Sequence, residues 1–118
     1  MTRHVVVLVT CPSRRVGRRL ARLAVTQRLA ACVNILSDVH SVFRWQGKID
    51  AAREVLLLIK TSARRFEALR RSLVNAHPYD VPEVIALPIL KAHRPYAAWL
   101  TQSLHPALKG GVRVARRR

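Results

Sequence analysis

The first pattern along the chain is an unbroken apolar run. Val5-Val6-Val7-Leu8-Val9 continues to Cys11 and predicts a buried strand over residues 4–11. Pro12-Ser13 breaks it, and Ser13 is suited to N-cap a helix. Val16, Leu20, Leu23, Ala24, Gln27 and Ala31 then recur at spacings of three and four, with Arg15, Arg18, Arg19 and Arg22 on the other face. This spacing predicts an amphipathic helix of about four turns or more. Arg14 and Arg15 have the wrong sign for the dipole at its start, so propensity and packing must outweigh them.

Alternation then takes over. Cys32–Ile35 and Val39–Trp45 read as one long strand, bent near Ser37-Asp38. Gln46-Gly47-Lys48 is a turn, and Glu54–Thr61 is a second strand that starts a few residues earlier, which makes a hairpin. Over residues 63–77, Phe66, Leu69, Leu73 and His77 share a helical face while Arg64, Arg65, Arg71 and Ser72 lie away from it. Val81 to Leu90 is a fourth strand, interrupted by Pro82 and Pro88 and so at an edge or bulged. Pro95-Tyr96 opens a last helix that runs to Leu104.

The predicted order is βαββαβ with an extra C-terminal helix. Right-handed crossovers put the first two helices on one face of a four-stranded antiparallel sheet. The fold class is α+β, ferredoxin-like and two-layered. Both sheet faces look apolar, which suits a buried sheet. A fold of this kind does not by itself decide function.

Composition narrows the class. At 118 residues and half hydrophobic, the chain forms one domain with a real core, read as residues 1–108. Residues 109–118 read as a basic flexible tail. No apolar run approaches the roughly 18 residues of a membrane span, and the N-terminal run lacks the length and cleavage pattern of a signal peptide. Cys11 and Cys32 lack disulfide or zinc spacing, so a reduced, cytoplasmic protein is expected. The net charge of +16 is uneven: residues 1–30 hold seven Arg and no acid, and residues 93–118 hold six bases and no acid.

That charge raises the question of nucleic acid. The third predicted strand, Glu54-Val55-Leu56-Leu57-Leu58-Ile59-Lys60, has no aromatic on which to stack a base. Specific nucleic-acid binding is therefore not expected, and the Arg face offers only non-specific contact with polyanions. The six carboxylates (Asp38, Asp50, Glu54, Glu67, Asp80 and Glu83) form no acid–base dyad, and no phosphate loop is present, so an enzyme is not expected.

Cys11, at the end of the first strand, and His77, at the end of the second helix, can approach one another and are candidate ligands for a borderline metal. Otherwise Cys11 is a small buried hydrophobe and His77 a helix C-terminal cation. His77-Pro78-Tyr79-Asp80-Val81-Pro82-Glu83 reads either as a rigid connector or as a binding edge that presents Tyr79 and Glu83. Trp45, at the tip of a long hairpin, is poorly covered in a monomer and points to self-association by sheet extension.

Leu29–Ile35, Phe43–Ile49, Glu54–Thr61 and His77–Val84, continued by Pro95-Tyr96 and Trp99-Leu100, closely resemble the CutA family of divalent-cation tolerance proteins. The resemblance implies a homotrimer, made by pairing strands between subunits, with an architecture like the PII signalling proteins. It also implies copper tolerance without catalysis and no organic cofactor. Some bacterial members are assigned copper ligands: a first-strand Cys and a His-His pair before Pro-Tyr. Here the second His is His77, the first His position is Ala76, and the Cys position is Val9, with Cys11 two residues on. The expected site is Cu(II) or another divalent cation at His77, with Cys11. The alternative is a PII-like sensor that binds a small anion or a partner protein in inter-subunit clefts near Tyr79, Glu83, Lys60 and Trp45.

Overall fold

A computed structural model describes residues 3–106. The tail read over 109–118 lies outside the described residues. In chain order the elements are β1 (His4–Cys11), α1 (Arg14–Thr26), β2 (Cys32–Trp45), β3 (Lys48–Ser62), a 3₁₀ turn (Ala63–Arg65), α2 (Phe66–Ala76), β4 (Ile85–Pro88) and α3 (Arg94–Leu104). The sheet order is β2-β3-β1-β4, antiparallel throughout. The βαββαβ order and the antiparallel α+β sheet are therefore as the hydrophobic pattern predicts.

The alternation in β1 and β3 divides the sheet. Val5, Val7, Val9 and Cys11 of β1 and Val55, Leu57 and Ile59 of β3 face Leu20 and Ala24 of α1 and Leu69 and Leu73 of α2. This is the main core, and both helices lie on that face. The other face is less covered than a fully buried sheet. Val6, Leu8, Leu56 and Leu58 are half-buried, while Leu36, Ile85 and Leu87 are exposed. The third helix packs Leu100 and Leu104 against Ala31, and Thr101 Oγ1 lies 2.8 Å from His4 Nε2.

Local signals account for most boundaries. Ser13 caps α1 by accepting from the Val16 N–H at 3.2 Å. That helix stops earlier than its apolar spacing predicts. Arg28 adopts a left-handed conformation (φ 57°), and the Leu29 N–H reaches back to the Ala24 carbonyl at 2.9 Å, a Schellman closure. Ala31 thereby leaves the α1 stripe and joins the α3 cluster.

The long strand is bent where expected: the β2–β3 register shifts between Leu36 and Val39, and Asp38 has φ 65°. Gln46 (φ 50°) and Gly47 (φ 79°) form the hairpin turn, both with the positive φ of type I′. Strand β4 is shorter than the predicted 81–90 run. Pro82 precedes it and Pro88 ends it, and it pairs only with β1, at the sheet edge.

Candidate functional site

One end of the sheet collects the chemistry. Helix α2 ends at Ala76 because Pro78 follows: the residue before a proline is driven out of the helical region, and His77 is extended (φ −79°, ψ 138°). Its ring thus turns under the helix end and is 7% exposed. One His77 nitrogen, Nε2, lies 2.8 Å from the Thr10 carbonyl oxygen, and the Tyr79 N–H donates to the other, Nδ1, at 3.1 Å. A carbonyl can only accept, so the hydrogen-bond pattern assigns the proton to Nε2 and makes the ring neutral. The helix end itself is capped by Arg19, whose guanidinium donates to the Ala76 carbonyl at 3.0 Å. The cation at that terminus is therefore an arginine from α1, not His77.

The Tyr79 ring stacks obliquely on His77, 4.7 Å between centroids. Its hydroxyl donates to Glu54 Oε2 at 2.7 Å. Glu54 is 7% exposed, a carboxylate on the open face of β3 with a phenol over it. Burial, then the hydrogen bond to Glu54, hold the Tyr79 phenol well above its ordinary range.

Cys11 lies beside this pair, fully buried. Its Sγ sits 3.6 Å from the Val55 carbonyl and 3.8 Å from that of Ser13. Burial first, and the Glu54 charge second, push its thiol pKa up. Helix α1 can approach here because residue 17 is glycine. A Cβ there meets Cys11 Sγ, Val55 Cγ1 and Leu57 Cδ2, each at 3.4 Å.

The structure thus brings Cys11 and His77 to one corner, as the order of elements suggested, and places Tyr79 there with them rather than beside Glu83. It adds Glu54, Thr10 and Arg19, which the sequence reading left out of the site. A lone acid opening an aliphatic strand was the available signal for Glu54. As a cation site this corner does not fit as it stands. Both ring nitrogens of His77 are engaged, the Cys11 thiol holds its proton, and no three His, Cys, Asp or Glu side chains among the described residues could hold a metal.

The other candidates lie apart within one chain. Glu83 is exposed on the loop before β4, and Lys60 is half-buried with its ammonium on Asn34 Oδ1. Trp45 pairs with Lys48 at the hairpin tip. Twelve positions of β3 separate Lys48 from Lys60, roughly 40 Å at the strand rise.

Known proteins resemble this chain over most of its length. Residues 5–103 match the family described as CutA1 divalent ion tolerance protein. The divalent-cation tolerance protein CutA of Thermus thermophilus is 46% identical over 98 residues, 83% of this chain and 95% of that protein. A chloroplastic CutA protein of Arabidopsis thaliana is 46% identical over 99 residues, 84% of this chain, which spans only 54% of that longer protein. The crystal structure of CutA1 from Oryza sativa superposes with a TM-score of 0.85 at 43% identity, covering 89% of this chain and 96% of that one.

Proposed function

The chain belongs to the CutA1 divalent ion tolerance family, and from that premise we propose that it serves copper tolerance as a non-enzymatic homotrimer. The observation that best supports assembly is the hairpin arm. Strand β1 pairs only with Val55–Ser62, so Val39–Trp45 and Lys48–Arg53 run on as a two-stranded ribbon beyond the body. Val42 is 75% and Ile49 72% exposed on one face of it, and Phe43 and Trp45 are exposed on the other. A bare two-stranded ribbon is marginal in water, and apolar side chains on both faces call for a covering surface.

Sedimentation equilibrium tests this: the expected mass is about three times the 13.4 kDa chain. Val42→Asp with Ile49→Asp lowers it. A wild-type monomer at tens of micromolar overturns the trimer.

His77 is the proposed Cu(II) ligand, with Cys11 behind it. Because the corner as it stands leaves no imidazole nitrogen free, uptake requires the Tyr79 N–H to leave Nδ1 and the Cys11 thiol to lose its proton. Titration of metal-stripped protein with Cu(II) against a competing chelator is the test. One saturable site per subunit, lost in His77→Ala and weakened in Cys11→Ala, is expected. Weak, non-saturating uptake that neither substitution changes overturns it. A cytoplasmic location belongs to the same reading, supported by two cysteines outside any disulfide.

The arm also favours a second reading. It carries Trp45 so far from its own Lys60, Tyr79 and Glu83 that only another copy could complete a cleft of the PII kind. Thermal stabilisation by a small anion in metal-free protein, abolished by Trp45→Ala, distinguishes that function.

A further inference from the structure

At the opposite end of β1 from His77, about 23 Å away along the seven positions from Cys11 to His4, a second constellation stands outside the site already described. A cavity of about 310 Å³ opens between the 3₁₀ turn and the end of α3, lined by Ser62, Arg64, Arg65, Thr101, Leu104 and His105. Its volume equals that of roughly ten liquid waters, the lower end of the range for small-molecule sites.

The lining is built for an anion. Ser62 is 3% exposed, yet its hydroxyl makes no capping bond and has no hydrogen-bond partner among the described residues. No buried side-chain polar atom among the described residues lacks a partner, so the Ser62 oxygen is the part of the residue that stays open, and it lines the cavity as an accessible hydroxyl. Neither the Arg64 nor the Arg65 side chain has a hydrogen bond or ion pair among the described residues. The nearest carboxylate in sequence, Glu67, is held in a two-pronged pair by Arg70, at 2.9 Å (Nε to Oε1) and 2.6 Å (Nη2 to Oε2). The pairing with Arg70 pulls the Glu67 pKa down, and none of the six carboxylates lines the cavity. Thr101 lines the cavity with its hydroxyl engaged by His4 Nε2 at 2.8 Å. Leu104, 2% exposed, supplies an apolar wall. Two unpaired guanidiniums and the unengaged Ser62 hydroxyl beside one apolar side chain match a phosphate oxyanion carried on a small organic body.

We infer that this cavity is a binding site for a small phosphorylated metabolite, whose phosphate is held by Arg64, Arg65 and Ser62. None of its lining residues belongs to the His77 corner, so the inference stands apart from the copper site.

The experiment is a thermal-shift titration of the full chain, free of added metal, with inorganic phosphate, glucose 6-phosphate and glucose at matched ionic strength in chloride. A saturable rise in midpoint with both phosphates and none with glucose is expected. Tighter binding of the sugar phosphate supports an organic ligand, and equal binding supports the bare oxyanion at the same residues. Arg64→Gln with Arg65→Gln weakens binding roughly tenfold or more, and Ser62→Ala weakens it less. The control, Arg18→Gln with Arg22→Gln on the exposed face of α1, removes the same charge and leaves binding unchanged. An equal loss in the control, or a rise that follows ionic strength without saturating, overturns the site.

Discussion

Replacing Tyr79 with phenylalanine removes one oxygen and tests what holds the His77 corner together. The ring and its contact with His77 stay, but the 2.7 Å bond to Glu54 is lost. A hydrogen bond to a charged acceptor contributes about 1.5–3 kcal/mol, and a carboxylate left buried without a partner sits at the upper part of that range. Glu54 is only 7% exposed, so water replaces the phenol poorly, and a loss of about 2 kcal/mol is expected. With a urea slope of roughly 2 kcal/mol per molar, the unfolding midpoint falls by about 1 M. Protein concentration must be held fixed, because the stability of an assembling protein depends on it. Glu54→Gln keeps an acceptor and lowers the burial cost, so adding Tyr79→Phe to it costs less than in the wild type, a coupling that a double-mutant cycle reads directly. A midpoint shift under about 0.3 M for Tyr79→Phe refutes the reasoning, since Glu54 is then satisfied without the phenol.

Gly47 sits at φ 79°, and a Cβ at that position would meet nothing within 4 Å. Gly47→Ala therefore costs only backbone strain, about 1 kcal/mol by urea unfolding, and a neutral result means the turn relaxes. Gly17→Ala trades contacts at 3.4 Å against better helix propensity. Its stability stays within about 1 kcal/mol of wild type, and a larger loss shows that α1 has no room to give. The raised Cys11 pKa makes the folded state hold its proton while the unfolded thiol loses one. The associated stability is complete below the unfolded value, about 8.5, and is lost as pH rises through the higher folded one. Cys11→Ala flattens that alkaline decline, and in a Cys32→Ser background iodoacetamide labels Cys11 only as fast as the chain opens.

The hydrophobic periods, Ser13, the Gln46-Gly47 turn and the prolines at 78, 82, 88 and 95 fixed the elements and their order. Each acts within a few residues, on φ, on a missing N–H or on which face is apolar. The end of α1 escaped that reading because a left-handed arginine closes it, a conformation that composition does not favour. The corner was half legible. His77 and Cys11 could be placed at neighbouring element ends, since strand and helix lengths set where those ends fall.

What only the tertiary structure decided are the pairings across the fold. Tyr79 meets Glu54 25 positions away, and His77 meets Thr10 67 positions away. Arg19 caps a helix 57 positions on, and Ser62 faces a cavity with Thr101. These contacts depend on sheet register and on the angle at which helices lie across it. Both are settled by burial of the whole apolar face at once, so no local window of sequence contains them.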